Sequence, residues 1–242
     1  MVQGRQHTFE VAGLVRGVFT MFDRETGTTW NHFDGKAIKG PLDGVRMELV
    51  SLEMLTFGEW KRRHPYAVVL SGETGFESRY REFVPGSRVG APRNFEDLRL
   101  PVNALVIGVE SGEDYKAYPQ ELMTGARAVV NDVVGGQPIA VFHDEITGGG
   151  LAYARSLNGQ LLTFNLATTE PNWTAIDEQT GSTWDSQGRA ISGPLAGSQL
   201  DWVSSFITEW YGWADFHPQT KILGTPTDWT DVTGPPTGQF GF

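Results

Sequence analysis

The chain has 242 residues, 39% of them hydrophobic and 20% charged, enough to bury one good core or two small ones. A formal charge of −10 and a sequence pI of about 4.9 repel phosphate backbones, which disfavours nucleic-acid binding. The absence of cysteine excludes disulfides, thiolate catalysis and cysteine-bound zinc, and no apolar run approaches the roughly twenty residues of a membrane span.

The N-terminal MVQGRQHTFEVAG lacks the basic-then-apolar pattern of a signal peptide and runs at once into strand-like sequence. In chain order, TFEVAG and VFTMF alternate and are rich in β-branched and aromatic residues, so they predict strands. Gly27, in Glu25-Thr26-Gly27, supplies the positive φ of a tight hairpin, and Trp30 begins the returning strand. Gly40-Pro41 punctuates the chain, and Thr56 to Arg63 predicts a short helix stopped before His64-Pro65. The basic run Lys61-Arg62-Arg63 on that helix reads as a solvated face. Gly75 to Asp97 is long and irregular, as expected of a segment that wraps the surface or borders a site.

Ala104 to Glu110 and Asp114 to Tyr118 follow as strands, with a helical turn at Pro119 to Met123. Ala126 to Val134 and Gln137 to Phe142 flank Gly135-Gly136 as a hairpin. Leu151 to Ser156 and Gln160 to Leu166 flank Asn158-Gly159 as another. Glu209 to Phe216 predicts a second short helix before His217-Pro218, and the Pro-, Gly- and Thr-rich tail from Gly224 is expected to be extended.

The chain repeats itself. HTFEVAG lies against LTFNLAT, FDRETGTTW against IDEQTGSTW, GKAIKGPLDG against GRAISGPLAG, and EWKRRHPYAVVL against GWADFHPQTKIL. The offset is 155 at Phe9, 154 at Trp30 and 153 at Trp60, so two single-residue gaps align more than sixty residues. The expectation is a mainly-β fold of two pseudo-symmetric half-units with a few short helices, forming one compact barrel- or sandwich-like domain over residues 1–223. Within it the first repeat spans 7–70, an irregular connection 71–101, strands 102–157 and the second repeat 158–223, with an extended tail at 224–242.

The run IGVESGEDYKAYPQELM, then AVVNDVVGGQPIAVF, with the paired TGxxW, GxAIxGPLxG and W-x-x-x-HP elements, resembles the bacterial and archaeal family called domain of unknown function 3179 over Thr8 to Leu223. The resemblance implies an extracytoplasmic protein and supplies no established activity. Family members usually begin with a further half-unit of strands carrying a Cys-Pro-x-Cys element. This chain has no such element, so nothing that rests on a cysteine pair carries over.

Chemistry is sought first at the histidines. His143-Asp144-Glu145 follows the apolar IAVF strand and precedes Gly148-Gly149-Gly150, a placement suited to general acid–base work or to a divalent metal; the alternative is an ordinary acidic turn. His32 is unrepeated, with Ser186 in its place, and would complete such a site or else stand as an exposed strand residue. His64 and His217, both before proline, read as capping or packing residues, and Asn131-Asp132 as a hairpin holder. Trp30, Trp60, Trp184 and Trp213 recur in both repeats, as core residues do. Trp173, Trp210 and Trp229 have no tryptophan counterpart and are the candidates for a ligand surface. Neither a Gly-x-Ser-x-Gly elbow nor a phosphate-cradling loop occurs.

Three functions follow as expectations. The first is a binding domain for a small molecule, glycan or protein partner in a crevice between the repeats. The second is a hydrolase, metal-assisted or not, built on His143, Asp144, Glu145 and His32. The third is an oligomerisation module with a strand edge that a second chain covers.

Overall fold

A computed structural model describes residues 2–69, 95–169 and 172–224. The first repeat opens with an antiparallel meander of β1 (Phe9–Val15), β2 (Val18–Asp23), β3 (Thr29–Asn31) and β4 (Ala37–Lys39). A stretch without regular secondary structure leads from it to α1 (Phe57–Arg63). The middle of the chain supplies β5 (Leu105–Ser111), β6 (Asp114–Pro119), two 3-10 turns at Gln120–Leu122 and Gly125–Ala128, β7 (Val129–Val134), β8 (Gln137–Asp144) and β9 (Gly149–Ala154). A small hairpin of β10 (Ser156–Leu157) and β11 (Gln160–Leu161) enters the second meander, β12 (Phe164–Thr168), β13 (Thr174–Asp177), β14 (Thr183–Asp185) and β15 (Ala190–Ser192). The second repeat closes with β16 (Trp202–Val203), β17 (Ser205–Glu209), α2 (Trp210–Phe216) and β18 (Lys221–Ile222).

The continuous apolar runs of β5 and β8 mark strands buried on both faces, and side-chain alternation sorts their residues between two cores. Ile107, Ile139 and Val141 point between the sheets β16-β9-β8-β7 and β17-β5-β6-β18, where Tyr118, Val203 and Ile207 meet them. Ala140 and Phe142 face the other way and pack under the second meander with Phe164, Trp173 and Trp184. Val106 faces α2, where Trp210 and Trp213 join Val18 and Phe33 of the first meander. The result is an open sandwich of stacked sheets, mainly β, with no closed barrel among the described residues. Gly108 sits under Trp213, and a Cβ there would lie 2.3 Å from the indole ring. Only glycine lets α2 approach β5 this closely.

The duplicated motifs build one clip twice. In the first meander Asp23 accepts from the Thr26 N–H (2.6 Å), the Thr26 hydroxyl (2.8 Å) and Trp30 Nε1 (2.7 Å). In the second, Asp177 accepts from the Thr180 N–H (2.6 Å), the Thr180 hydroxyl (2.9 Å) and Trp184 Nε1 (2.9 Å). The decapeptide locks onto this clip from outside. The Leu42 and Leu195 N–H groups donate to the Thr28 and Ser182 hydroxyls at 3.2 and 3.0 Å. Gly193 at φ +88° passes so close that a Cβ would stand 2.6 Å from Ser182 Cα. The repeated glycines, prolines and leucines are thus turn chemistry.

Burial alone would raise the Asp23 pKa, but hydrogen bonds from Trp30 and Thr26, with the His7 ring 3.3 Å away, outweigh it and hold the carboxyl at about 2. A carboxyl held low contributes stability above its unfolded pKa and loses it as pH falls through the folded value. Asp23 should therefore add about 2 kcal/mol at pH 5 that disappears between roughly pH 4 and pH 2. Urea unfolding of the wild type and Asp23→Asn at both pH values checks this. The gap between the two should close in acid, and a gap that persists refutes it.

Several predicted boundaries shift. The strand expected from Ala126 begins only at Val129, because Gly125–Ala128 forms a 3-10 turn. Leu151 to Ala154 belongs to β9, paired with β8 and β16, so the Asn158-Gly159 hairpin keeps only the two-residue arms of β10 and β11. Asn158 and Gly159 both have positive φ, as that two-residue turn requires. Asn131 and Asp132 tie neighbouring elements together. Asn131 exchanges hydrogen bonds with the Phe164 backbone of β12 (2.7 and 2.9 Å), and Asp132 accepts from Lys116 (2.7 Å) and Tyr118 (2.9 Å) of β6. Most of Gly75 to Asp97 and of the tail from Gly224 lies outside the described residues.

Candidate functional site

The His143-Asp144-Glu145 triplet does not act as one group. Successive residues of a strand face opposite sides, and the buried His143 ring turns to the Met123 carbonyl, 2.9 Å from its Nδ1. Asp144 folds the β8–β9 turn, Oδ1 accepting from the N–H groups of Ile146 (3.0 Å) and Thr147 (3.4 Å). Glu145 reaches outward to accept the Gly125 N–H at 2.8 Å. His32 lies elsewhere. Its Nδ1 is 2.7 Å from the Phe19 carbonyl, and it borders an apolar groove beside β17.

Of the three unpaired tryptophans, Trp210 is wholly buried in the α2 core, donates to the Asp97 carbonyl (3.2 Å) and packs under Arg99. Trp229 lies outside the described residues. Trp173, next to β13, is 3% exposed and borders a crevice between the repeats. Its Nε1–H is buried and has no hydrogen-bond partner among the described residues.

That crevice has a volume of about 280 Å³. One wall is α1 of the first repeat, with Glu59, Arg62 and Arg63. The opposite wall is the second repeat and the β8–β9 turn. It brings Asp144 and Thr147 from that turn, Asn172 and Trp173 from the approach to β13, and Asp185 and Ser186 from the end of β14. Asp144 and Trp173 thus come together, whereas His143, Glu145, His32 and Trp210 do not line the crevice.

The basic run needs correcting at one residue. Lys61 and Arg62 are exposed as expected, but the Arg63 side chain is only 14% exposed and turns inward. Its guanidinium donates to Glu59 (2.5 Å), to Glu53 (2.9 Å) and, across the crevice, to the Ser186 hydroxyl (3.3 Å). Gln187 Nε2 donates to Glu53 (3.2 Å) and the Thr56 N–H to the Thr147 carbonyl (2.9 Å). These polar links hold α1 against the second repeat. The Arg62 hydrogen bonds, opposed by burial and joined by Arg63, hold the Glu59 carboxyl at about 2. Burial works against the Arg63 charge, but Glu59 and Glu53 raise its pKa nonetheless. The lining therefore sets three carboxylates against two guanidinia, with amide and hydroxyl groups between them.

One further cluster has the composition of a cation site. His7 Nδ1 lies 3.3 Å from Asp23 and 4.0 Å from Glu25. The second repeat builds the same turn with Leu162, Asp177 and Gln179, where Gln179 accepts the Thr163 N–H (2.7 Å) as Glu25 accepts that of Thr8 (2.8 Å). The carboxylates there serve the turn.

His64 and His217 cap α1 and α2 with nearly the same backbone angles, each N–H donating to the preceding tryptophan's carbonyl at 2.9 Å. His217 also stacks on Tyr115 with ring centroids 3.9 Å apart, and burial lowers its pKa to about 4.

A family model described as "Protein of unknown function (DUF3179)" matches residues 1–86 and 91–234. Neither a curated protein nor a solved structure matches the chain.

Proposed function

Because the chain belongs to the DUF3179 family, whose description assigns no activity, we propose from the geometry of the crevice that it is a binding domain for a small polyhydroxylated ligand, a monosaccharide or the end of a glycan. The observation that carries this reading is the buried, unpartnered Nε1–H of Trp173 beside the crevice. A buried donor without a partner costs about 1–3 kcal/mol; this nitrogen is shielded from solvent among the described residues, so a ligand oxygen recovers that cost only as the Trp173 ring shifts toward the crevice. Around it stand planar groups that serve neighbouring hydroxyls well: the carboxylates of Asp144, Asp185 and Glu59, the amide of Asn172 and the guanidinium of Arg62. The excess of carboxylates disfavours an anionic ligand. The volume falls just below the roughly 300–1,000 Å³ of drug-sized sites, which favours a single ring.

A hydrolase built on the His143 loop draws no support from this arrangement, since the imidazole and the Asp144 carboxylate face opposite sides of β8. Binding alone is the simpler function.

Ligand-observed NMR with free glucose, galactose, mannose and N-acetylglucosamine tests the proposal, with calorimetry on any sugar that binds. Trp173→Phe keeps the ring and removes the donor. It should weaken binding about tenfold, the equivalent of one hydrogen bond. The melting temperature should stay the same or rise, since an unsatisfied donor has gone. No sugar binding, or undiminished binding by Trp173→Phe, removes the proposal.

A further inference from the structure

The two meanders build the same turn with different chemistry at two positions. Where the first has His7 and Glu25, the second has Leu162 and Gln179. The turn itself needs neither the imidazole nor the second carboxylate. The Gln179 amide oxygen accepts the Thr163 N–H (2.7 Å) as Glu25 Oε2 accepts that of Thr8 (2.8 Å). Leu162 is fully buried in the place of His7. Beside the aspartate that both turns share, His7 and Glu25 therefore add donor atoms that the fold does not require.

His7 shows what those atoms are placed for. Its side chain is 5% exposed, and its Nδ1 is shielded from solvent with no hydrogen-bond partner among the described residues. That nitrogen is aimed at the carboxylates, 3.3 Å from Asp23 Oδ1 and 4.0 Å from Glu25 Oε2. The shorter distance lies outside the roughly 2.7–3.2 Å of an N–H···O bond. It matches two ligands on one ion, since donor atoms about 2.1 Å from a tetrahedral zinc stand about 3.4 Å apart. Glu25, whose side chain is 40% exposed, closes the wider gap by a shift of about half an ångström. All three donor atoms already lie within 4.8 Å of one another. The oxygens also have capacity to spare. The Thr26 hydroxyl is 2.8 Å from both Asp23 oxygens and has one proton, and the matching Thr180 hydroxyl donates to Asp177 Oδ2. Asp23 Oδ1 then holds the Thr26 N–H and keeps a lone pair.

We propose that His7 Nδ1, Asp23 and Glu25 bind one divalent transition-metal ion of the zinc class, with water in the fourth position. One imidazole nitrogen with two carboxylate oxygens suits zinc, whereas magnesium and calcium take oxygen ligands. The two carboxylates balance the charge of the ion. The site ties residue 7, just ahead of β1, to the turn between β2 and β3. Asp23 Oδ2 meanwhile keeps its bond from Trp30 Nε1, so the ion and the clip share one carboxylate without competing for an atom.

The untagged full chain, stripped with EDTA and dialysed, is titrated with zinc chloride by calorimetry, and separately with magnesium and calcium chloride. We expect one zinc ion per chain and no comparable binding of the other two. His7→Leu and Glu25→Gln install the residues of the second repeat, so both variants should fold as the wild type does, which circular dichroism confirms. Each should weaken zinc binding at least about a hundredfold, since losing a ligand costs no less than losing a group that orients one. His64→Ala, at a histidine outside the cluster, should bind zinc as the wild type does. Absence of zinc binding overturns the proposal, and so does binding that survives either His7→Leu or Glu25→Gln. Loss of binding in His64→Ala would place the ion at another histidine. Equal affinity for magnesium or calcium would show carboxylates acting without the imidazole. Either result overturns it too.

Discussion

Asp177→Ala should be among the most destabilising single substitutions in this chain, at about 4 kcal/mol. Asp177 is fully buried and accepts from Trp184 Nε1, the Thr180 N–H and the Thr180 hydroxyl. Alanine leaves the Trp184 Nε1–H without an acceptor in the core and the Thr180 N–H without one in a half-buried turn, while the Thr180 hydroxyl keeps Ser182, at roughly 1–3 kcal/mol for each lost bond. The melting temperature of a chain of this size should then fall by about 10 °C. Asp177→Asn keeps one carboxamide oxygen but presents N–H groups to donors on its other side, and should lose about half as much. The repeat offers an internal comparison, because Asp23→Ala removes the same bonds from the first meander. There Trp30 belongs to a small cluster with Val2 and Ala37, whereas Trp184 is part of the core that holds Phe142, Tyr153, Phe164 and Trp173. The Asp23 substitution should therefore loosen the first meander with a smaller shift of the main transition in calorimetry. Equal shifts would show that the two meanders unfold as one unit.

The same clip shows what was legible in the sequence. FDRETGTTW and IDEQTGSTW reveal the turn through glycine and the buried core through tryptophan, because backbone freedom and apolar bulk are properties of single residues. The Asp–Trp hydrogen bond joins positions seven apart, and only the hairpin brings them together. Element type followed from local pattern for both helices, for the first three strands of each meander and for most of the middle segment, and pairing followed where a short turn joins neighbours, as at Gly135-Gly136, but not elsewhere. Nothing within Leu151 to Ala154 says that it pairs with β8 and β16 and not across the Asn158-Gly159 turn.

For the site, the sequence separated Trp173 and Trp210 from the repeated tryptophans by the same criterion, yet one borders the crevice and the other fills a core. The counterpart of Trp210 is Phe57, which is exposed where Trp210 is buried, so burial at this position follows from the seating of α2 on β5 and not from the residue type. Asp144 reached the crevice as a member of a triplet whose other members face elsewhere, which strand alternation foretells once β8 extends through Asp144. Arg63 was hidden within a basic run. A helix turns such a run through about 100° per residue, so its members cannot all share one environment.

Arg63 is where fold and proposed function meet, and Arg63→Ala should separate them. α1 contributes no buried residue, so its place as a crevice wall depends on the links through Arg63 to Glu53 and Ser186, with Gln187 and Thr56 assisting. Alanine removes the guanidinium that joins Glu53, Glu59 and Ser186. Arg62 still neutralises Glu59, but Glu53 loses its cation and, among the described residues, keeps only the Gln187 amide. The wall should swing free, lowering sugar affinity by about thirtyfold, roughly 2 kcal/mol. The main melting transition should move by less than about 2 °C, because the cores under α2 and the second meander are untouched. Arg63→Lys keeps the charge but cannot fork between two carboxylates and a hydroxyl, and should fall between the two. Protease sensitivity near α1, rising in Arg63→Ala and suppressed by sugar in the wild type, would give the same result independently. A variant that binds sugar normally would mean that α1 is not part of the binding wall, and the crevice reading would fail with it.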